Sequence, residues 1–163
     1  MLRVLTFLFC TVCWPQQFTE VDLRLKGVGL GSSYASVLRR LGNPLSRKRE
    51  KIIDEFEVCG PPYTLIELRY NGATIELHGD LRGRNFEVVG MEITSAKLFI
   101  SPGIRIGMTE AEVRSKLGGP PVDEATDAGT RILYYVTKDN LGGGAFHFRN
   151  GRLVKIIWNY TLC

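Results

Sequence analysis

Residues 27–44 of the chain read GVGLGSSYASVLRRLGNP, and residues 103–120 read GIRIGMTEAEVRSKLGGP. The two stretches align without a gap at an offset of 76 residues, and seven of the eighteen positions are identical. About one identity is expected from background residue frequencies. A match of this strength at a fixed spacing indicates that one structural unit occurs twice in the chain.

Each copy carries the residues that begin, pack and end a short helix. In the second copy, Thr109 is predicted to cap the helix, with Glu112 completing a capping box. Val113 and Leu117 are four residues apart, so they lie on one helical face. Gly118 suits the left-handed conformation that closes a helix. The equivalent residues of the first copy are Ser33, Val37, Leu41 and Gly42.

Strand patterns follow each predicted helix. In the first half they span residues 52–58, 63–70, 73–78 and 86–94, and in the second half residues 131–137, 145–149 and 153–160. A helix followed by a run of strands indicates an α+β fold. We therefore predict two tandem repeats, at residues 27–95 and 103–162, each a short helical segment packed on an antiparallel β-meander.

Finer features of the strands follow from their alternation and their glycines. Period-2 alternation places the core side chains of the third strands at Val89, Met91 and Ile93 and at Val154, Ile156 and Trp158. Residues 79–85 and 123–130 are predicted to be mobile loops, and the triple glycine at 142–144 is predicted to lie in a connection.

The first residues have the pattern of an export signal. Arg3 precedes a charge-free apolar run over residues 4–13, which is too short to span a bilayer. We predict a signal over residues 1–16 and a periplasmic or extracellular protein. A buried first strand and a lipid anchor at Cys13 are the alternatives. No other segment approaches the ~18 apolar residues of a transmembrane span.

Removal of the signal leaves two cysteines, Cys59 and Cys163. Two cysteines in an exported chain suggest one disulfide, with two free thiols as the alternative. The two cysteines and two distant histidines lack the spacing of zinc ligands, so we predict no metal site.

The charge pattern argues against a nucleic-acid partner. The formal net charge is only +4, and residues 47–51 (RKREK) form an isolated basic run. A nucleic-acid binder usually carries a denser basic stripe with interleaved aromatic residues. The run is interpreted as a solvated loop or strand start, and contact with an acidic partner or lipid headgroups is the alternative.

The stretch at residues 103–120 resembles the Gly-Met-Thr…Val…Leu-Gly-x-Pro signature of the SmpA/OmlA outer-membrane lipoprotein family. The tandem arrangement is similar to that of the β-lactamase inhibitory proteins. The resemblance covers most of residues 27–160 in element order, and it implies a helical layer on an antiparallel sheet in each half. In those inhibitors the sheets form a concave surface that holds a protein partner. Inhibition of a β-lactamase is not implied by the fold alone.

The sequence lacks the patterns of common enzymes. No Ser-His-Asp arrangement, HExxH motif or Walker-type loop is present. We therefore expect a non-catalytic module without a cofactor. Its first predicted role is to bind a protein partner through the outer sheet face, and the alternative is a structural component of the cell envelope. An ordinary solvated sheet face is the competing interpretation of that surface. Residues predicted on it are Glu67, Arg69, Glu76, His78, His147, Arg149 and Lys155, with Tyr134 or Tyr135 as an aromatic contact.

Overall fold

The computed structural model describes residues 20–53, 61–137 and 142–160. The first half contains α1 (Tyr34–Leu41), followed by strands β2 (Ser46–Ile52), β3 (Tyr63–Tyr70), β4 (Ala73–Gly79) and β5 (Glu87–Ile93). The second half contains α2 (Glu110–Leu117), followed by β6 (Asp123–Asp127), β7 (Thr130–Thr137), β8 (Gly142–Arg149) and β9 (Arg152–Tyr160). A two-residue strand, β1 (Glu20–Val21), precedes both halves. The predicted α+β class is confirmed.

The strands form one continuous sheet in the order β1-β7-β8-β9-β5-β4-β3-β2, and β6 pairs with β7. All pairs are antiparallel except the short parallel contact of β1 with β7. The two halves join through β5 and β9, where Gly90 lies opposite Asn159 and Met91 lies opposite Trp158. The last strand of each half therefore occupies the middle of the sheet.

Both predicted helices are present with the predicted caps. The Thr109 hydroxyl accepts a hydrogen bond from the Glu112 amide at 3.3 Å, and the Glu112 carboxylate accepts one from the Thr109 amide at 2.7 Å. At α1 the Ser33 hydroxyl accepts from the Ser36 amide at 3.3 Å, but serine at that position cannot reciprocate as Glu112 does. The α2 helix ends at Gly118, which is left-handed with φ 83°.

The two helices cover the same face of the sheet. Val37 of α1 and Val113 of α2 are fully buried in one apolar core with the inward side chains of the strands. The segments that lead into the helices join this core, and Leu25 forms an isolated bridge to Ile100. The largest enclosed side chains are Trp158, Tyr135 and Phe146. The opposite face of the sheet is not covered by any described helix.

A β-bulge in each half changes the predicted core. In β5 the register shifts so that Leu77 faces Val88 and Glu76 faces Gly90, which leaves Val89 as the extra residue. The same shift beside β8 leaves Val154 as the extra residue. The prediction that Val89 and Val154 face the core is wrong, because each bulge turns its extra residue outward. Val88 and Leu153 take the buried positions instead, and Met91, Ile93, Ile156 and Trp158 are buried as predicted.

Three further boundaries differ from the sequence prediction. Strand β2 covers Ser46–Ile52, where the sequence predicted a loop or strand start; Ile53 lies outside it, and most of the strand expected at residues 52–58 falls on residues 54–60, which lie outside the described part. Residues 123–127 form strand β6 and not a loop, because their backbone pairs with β7 along its whole length. The triple glycine at residues 142–144 does not lie in a connection. It begins strand β8, and its backbone pairs with β9 on one side and with β7 on the other. The predicted export signal also lies outside the described residues.

Candidate binding face

The sheet face opposite the helices has a trough along its centre. Gly90 of β5, Asn159 of β9 and Gly143 of β8 are neighbours in one row across three strands. Glycines lack a side chain, so the backbone itself forms the floor at two of these three positions. A Cβ at Gly90 would lie 3.3 Å from the Glu76 carboxylate and 3.6 Å from the Asn159 Cβ atom. The walls of the trough therefore stand close to its floor.

One half of the trough is an acidic depression of about 400 Å³. Three carboxylates line it, from Glu67, Glu76 and Glu92. Glu67 accepts a hydrogen bond from Arg69 Nε at 2.6 Å, and Glu92 Oε2 lies 3.7 Å from Lys155 Nζ. Glu76 has no ion pair with any described residue. The depression thus holds one carboxylate whose charge no described side chain balances.

The environment of Glu76 disfavours its charge. Burial raises the pKa of the Glu76 carboxyl above its usual value, and the neighbouring carboxylates of Glu67 and Glu92 raise it further. Glu67 lies directly opposite Glu76 in the β3–β4 ladder. Like charges in directly opposite positions are destabilising in a sheet. A cation placed in this depression would remove that repulsion.

The other half of the trough is a wider depression of about 620 Å³ with a more apolar lining. Apolar and aromatic residues that line it include Val89, Tyr134, Val136, Ala145 and Ile157. It shares Glu76, Ile157 and Asn159 with the acidic half, so the two depressions adjoin each other. We call the combined surface the two-part trough.

Two histidines lie on the same face. Burial lowers the pKa of His78, whose ring stacks on Tyr63 with centroids 3.9 Å apart. Burial lowers the pKa of His147 as well, and the Lys155 charge lowers it further, while Glu92 acts in the opposite direction. Both environments favour the neutral form of the imidazole. Among the described residues, neither ring is hydrogen bonded to a serine, threonine or cysteine that could act as a nucleophile.

The structure places most of the predicted contact residues on the open face. Side chains there include Glu67, Glu76, His78, Tyr134, His147 and Lys155, with Arg69 and Arg149 toward the ends of their strands. Arg149 donates a hydrogen bond to the Thr130 hydroxyl at 3.5 Å.

The prediction for Tyr135 is wrong as a contact residue. Only 1% of Tyr135 is exposed, because the alternation of β7 turns it toward the helices. Its hydroxyl donates to the Gly119 carbonyl at 3.3 Å, and its ring packs edge-on against Phe146 with centroids 5.5 Å apart. Of the two adjacent tyrosines, Tyr134 is therefore the one on the open face.

Sequence reasoning missed the floor of the trough. Gly90, Glu92, Gly143, Ile157 and Asn159 were not predicted as site residues. The triple glycine was a usable signal, because glycine inside a strand often marks a close approach by another molecule.

The described residues give no sign of a metal centre, since they contain no group of three or more His, Cys, Asp or Glu side chains suited to one. Cys59 and Cys163, the predicted disulfide, both lie outside the described residues, as does Cys13. None of the described helices is long and apolar enough to cross a membrane.

Comparison with known proteins places the chain near three solved structures at low sequence identity. An extracellular protein of Bacillus anthracis that contains an SCP domain matches with TM-score 0.46 and 11% identity over 81% of this chain. This chain spans 44% of that protein's length. The uncharacterised protein YfeY of Escherichia coli matches with TM-score 0.45 and 12% identity over 83% of this chain and 95% of YfeY.

A candidate β-lactamase inhibitor protein of Streptococcus mutans matches with TM-score 0.32 and 17% identity over 82% of this chain and 85% of that one. No family model matches the chain. No curated protein matches it either.

Proposed function

We propose that the protein is an exported, non-catalytic binding module that holds a protein partner in the two-part trough. The observation that carries this proposal is that an acidic and a more apolar depression adjoin at Glu76, Ile157 and Asn159 on the open face. A binding site for a protein segment typically combines an apolar pocket with a few placed polar groups.

The lining of the trough favours a partner of one particular chemistry. No described residue forms an ion pair with Glu76, so the acidic half favours a lysine or arginine side chain. The wider half, with Tyr134, Val136 and Ile157, favours an apolar or aromatic side chain next to that cation. A protein loop or extended segment with a basic residue beside an apolar one meets both requirements.

We further propose that the trough arose where two copies of one unit were joined. Support comes from the sequence match, from the same order of one helix and four strands in each half, and from the bulges at Val89 and Val154. The last strands of the two units, β5 and β9, meet at the centre of the sheet. In this proposal the trough belongs to the junction, so a single unit would not form it.

Export to the periplasm or the exterior is part of the same proposal, and it rests on the charge-free run at residues 4–13. A lipid-anchored envelope component is the second candidate, and Cys13 at the end of that run favours it. Mass spectrometry of the mature N-terminus separates the two. A lipid-modified Cys13 supports the second candidate, and an unmodified terminus at Trp14 or later supports the first.

Affinity capture from the envelope and culture fractions of the native organism tests the binding proposal. We expect the wild-type protein to retain a partner that a Glu76→Lys variant loses, because the new cation repels the partner's basic residue. Ser115→Lys is the matched control, since Ser115 lies on the exposed surface of α2, on the other side of the sheet. Equal capture by all three proteins would rule out the trough as the site. Background rates on ester, peptide and glycoside substrates would support the non-catalytic assignment.

A further inference from the structure

The two edges of the sheet carry opposite charges. Strand β2 forms one edge, and its exposed side chains include Arg47, Lys48, Arg49 and Lys51 against a single Glu50. Strand β6 lies at the other edge, and its five exposed residues include Asp123, Glu124 and Asp127 with no basic residue. Glu124 is already paired with Arg114 and Arg131, so Asp123 and Asp127 carry the acidic character of this edge. Neither strand pairs on its outer side with any strand of the described chain. Edge strands with unpaired backbone groups are templates for pairing with another chain.

The basic edge also bears apolar side chains that are unusually exposed. Leu45 is 77% exposed and Ile53 is 67% exposed, and these residues stand immediately before and after β2. They are the two most exposed large apolar side chains in the described part of the chain. Ile53, next to the last residue of β2, would lose contact with water if another strand lay along β2.

Strand direction allows a second copy to continue the sheet. From β2 to β6 each strand is antiparallel to its neighbour, so β2 and β7 run in one direction and β6 runs in the other. If β6 of a second copy is placed beside β2, the alternation continues without a break. The helices of both copies then lie on the same side of the extended sheet, and the open face stays accessible.

The edge charges favour pairing of β2 with β6 over pairing of β2 with β2 or of β6 with β6. Two β2 edges facing each other, or two β6 edges, would set like charges opposite one another, which is unfavourable. Charged edges usually prevent association because both partners carry the same sign. Here the two edges of one molecule differ in sign, so only the heterologous, head-to-tail contact is attractive.

The side-chain pattern also selects one register. Lys48 and Glu50 point to the open face, as do Asp123, Ala125 and Asp127. With Glu50 opposite Ala125, Lys48 lies opposite Asp127 on the open face and Lys51 lies opposite Glu124 on the helix face. A shift of two residues in either direction places Glu50 opposite Asp123 or Asp127.

We propose that the protein associates head to tail with further copies of itself, with β2 of one copy pairing with β6 of the next in this register. The contact lies along the outer edges of the sheet, so an assembly would present a row of identical binding faces. It gives a weak interface of few residues, which concentration and salt should control.

Sedimentation velocity over a range of concentrations tests the association. At low salt the weight-average sedimentation coefficient should rise with concentration, and in ~0.5 M salt the rise should disappear because the edge charges are screened. Hydrogen exchange at low salt should show added protection of β2 and β6 amides as the concentration increases. A protein that sediments as a monomer at every concentration and salt level would overturn the proposal.

Charge-swap variants test the register. Lys48→Glu places a carboxylate opposite Asp127 of the next copy, and we expect it to weaken association at least about tenfold. Adding Asp127→Lys in the same chain should restore association, because the opposite pair is then reversed. Adding Asp123→Lys instead should not restore it, since that residue faces position 52. Equal recovery in the two double variants would contradict the register, and circular dichroism confirms that each variant is folded.

Discussion

Gly90 and Asn159 lie opposite each other in the ladder between β5 and β9, at the junction of the two halves of the chain. Because Gly90 has no side chain, its backbone is accessible from the open face of the sheet. Both residues line the acidic depression. The junction that makes the sheet continuous therefore also makes the floor of the proposed binding site.

Filling this floor should abolish binding without unfolding the protein. A Gly90→Leu side chain would occupy the trough, while its Cβ would contact the far end of the flexible Glu76 side chain. We expect partner affinity to fall at least about tenfold, because an occupied pocket loses a central contact. Titration calorimetry with the captured partner measures the loss, and Gly90→Ala should give a smaller one. Unchanged affinity of the leucine variant would place the partner elsewhere.

The charge of Glu76 should cost stability at neutral pH. The folded-state pKa of this carboxyl is raised, so folding favours its protonated form and stability falls as pH rises through the unfolded and then the folded pKa. Glu76→Gln removes the repulsion with Glu67 and should stabilise the protein by about 0.2–1 kcal/mol at pH 7. Thermal unfolding should show that this gain vanishes below about pH 4, where the wild-type residue is also neutral. A gain that persists at pH 3.5 would assign the effect to something other than charge.

Substitution of the two adjacent tyrosines of β7 should affect different properties, stability for Tyr135 and partner affinity for Tyr134. Tyr135 is buried against Phe146, so Tyr135→Ala should cost about 3–5 kcal/mol and lower the melting temperature by about 10 °C. Tyr134 lines the apolar half of the trough, so Tyr134→Ala should leave the melting temperature within a few degrees and reduce partner affinity. Differential scanning calorimetry and titration calorimetry on the two variants provide the comparison. A stable Tyr135→Ala protein would contradict the assigned direction of the two side chains.

The capping box of α2 should contribute measurably to stability. Thr109→Ala removes the acceptor for the Glu112 amide and should cost about 1 kcal/mol, as do other losses of an N-cap side chain. Ser115→Ala on the exposed face of the same helix is the control and should not destabilise the protein. Urea unfolding curves distinguish the two. If both variants unfold at the same urea concentration as the wild type, the cap is not formed in solution.

The helices could be predicted from sequence because their signals are local. Ser33 and Gly42, like Thr109 and Gly118, act on backbone groups within a few residues of themselves. The core face of the third strands could not be predicted in full, because the bulges at Val89 and Val154 are set by pairing with a neighbouring strand. The alternation of apolar and polar residues describes a single strand. It cannot show where pairing with a neighbouring strand inserts a bulge residue.

The site was predicted only in part for a similar reason. Glu67, Glu76 and His147 alternate with apolar residues, so their outward direction is visible in the sequence. Residues 123–127 read DEATD and show no alternation of apolar and polar residues, so the sequence gives no strand signal there. They form strand β6 because their backbone pairs with β7. The trough depends on which strands become neighbours across the junction of the two halves. That relationship joins residues 90 and 159, which are far apart in the chain.

Chemical-shift mapping of the protein with its captured partner tests the central claim most directly. We predict that the largest amide shifts fall on Gly90, Gly143, Ile157 and Asn159, with little change in α1 and α2. Shifts centred on the helices, with the trough amides unmoved, would contradict a partner-binding role for the open face.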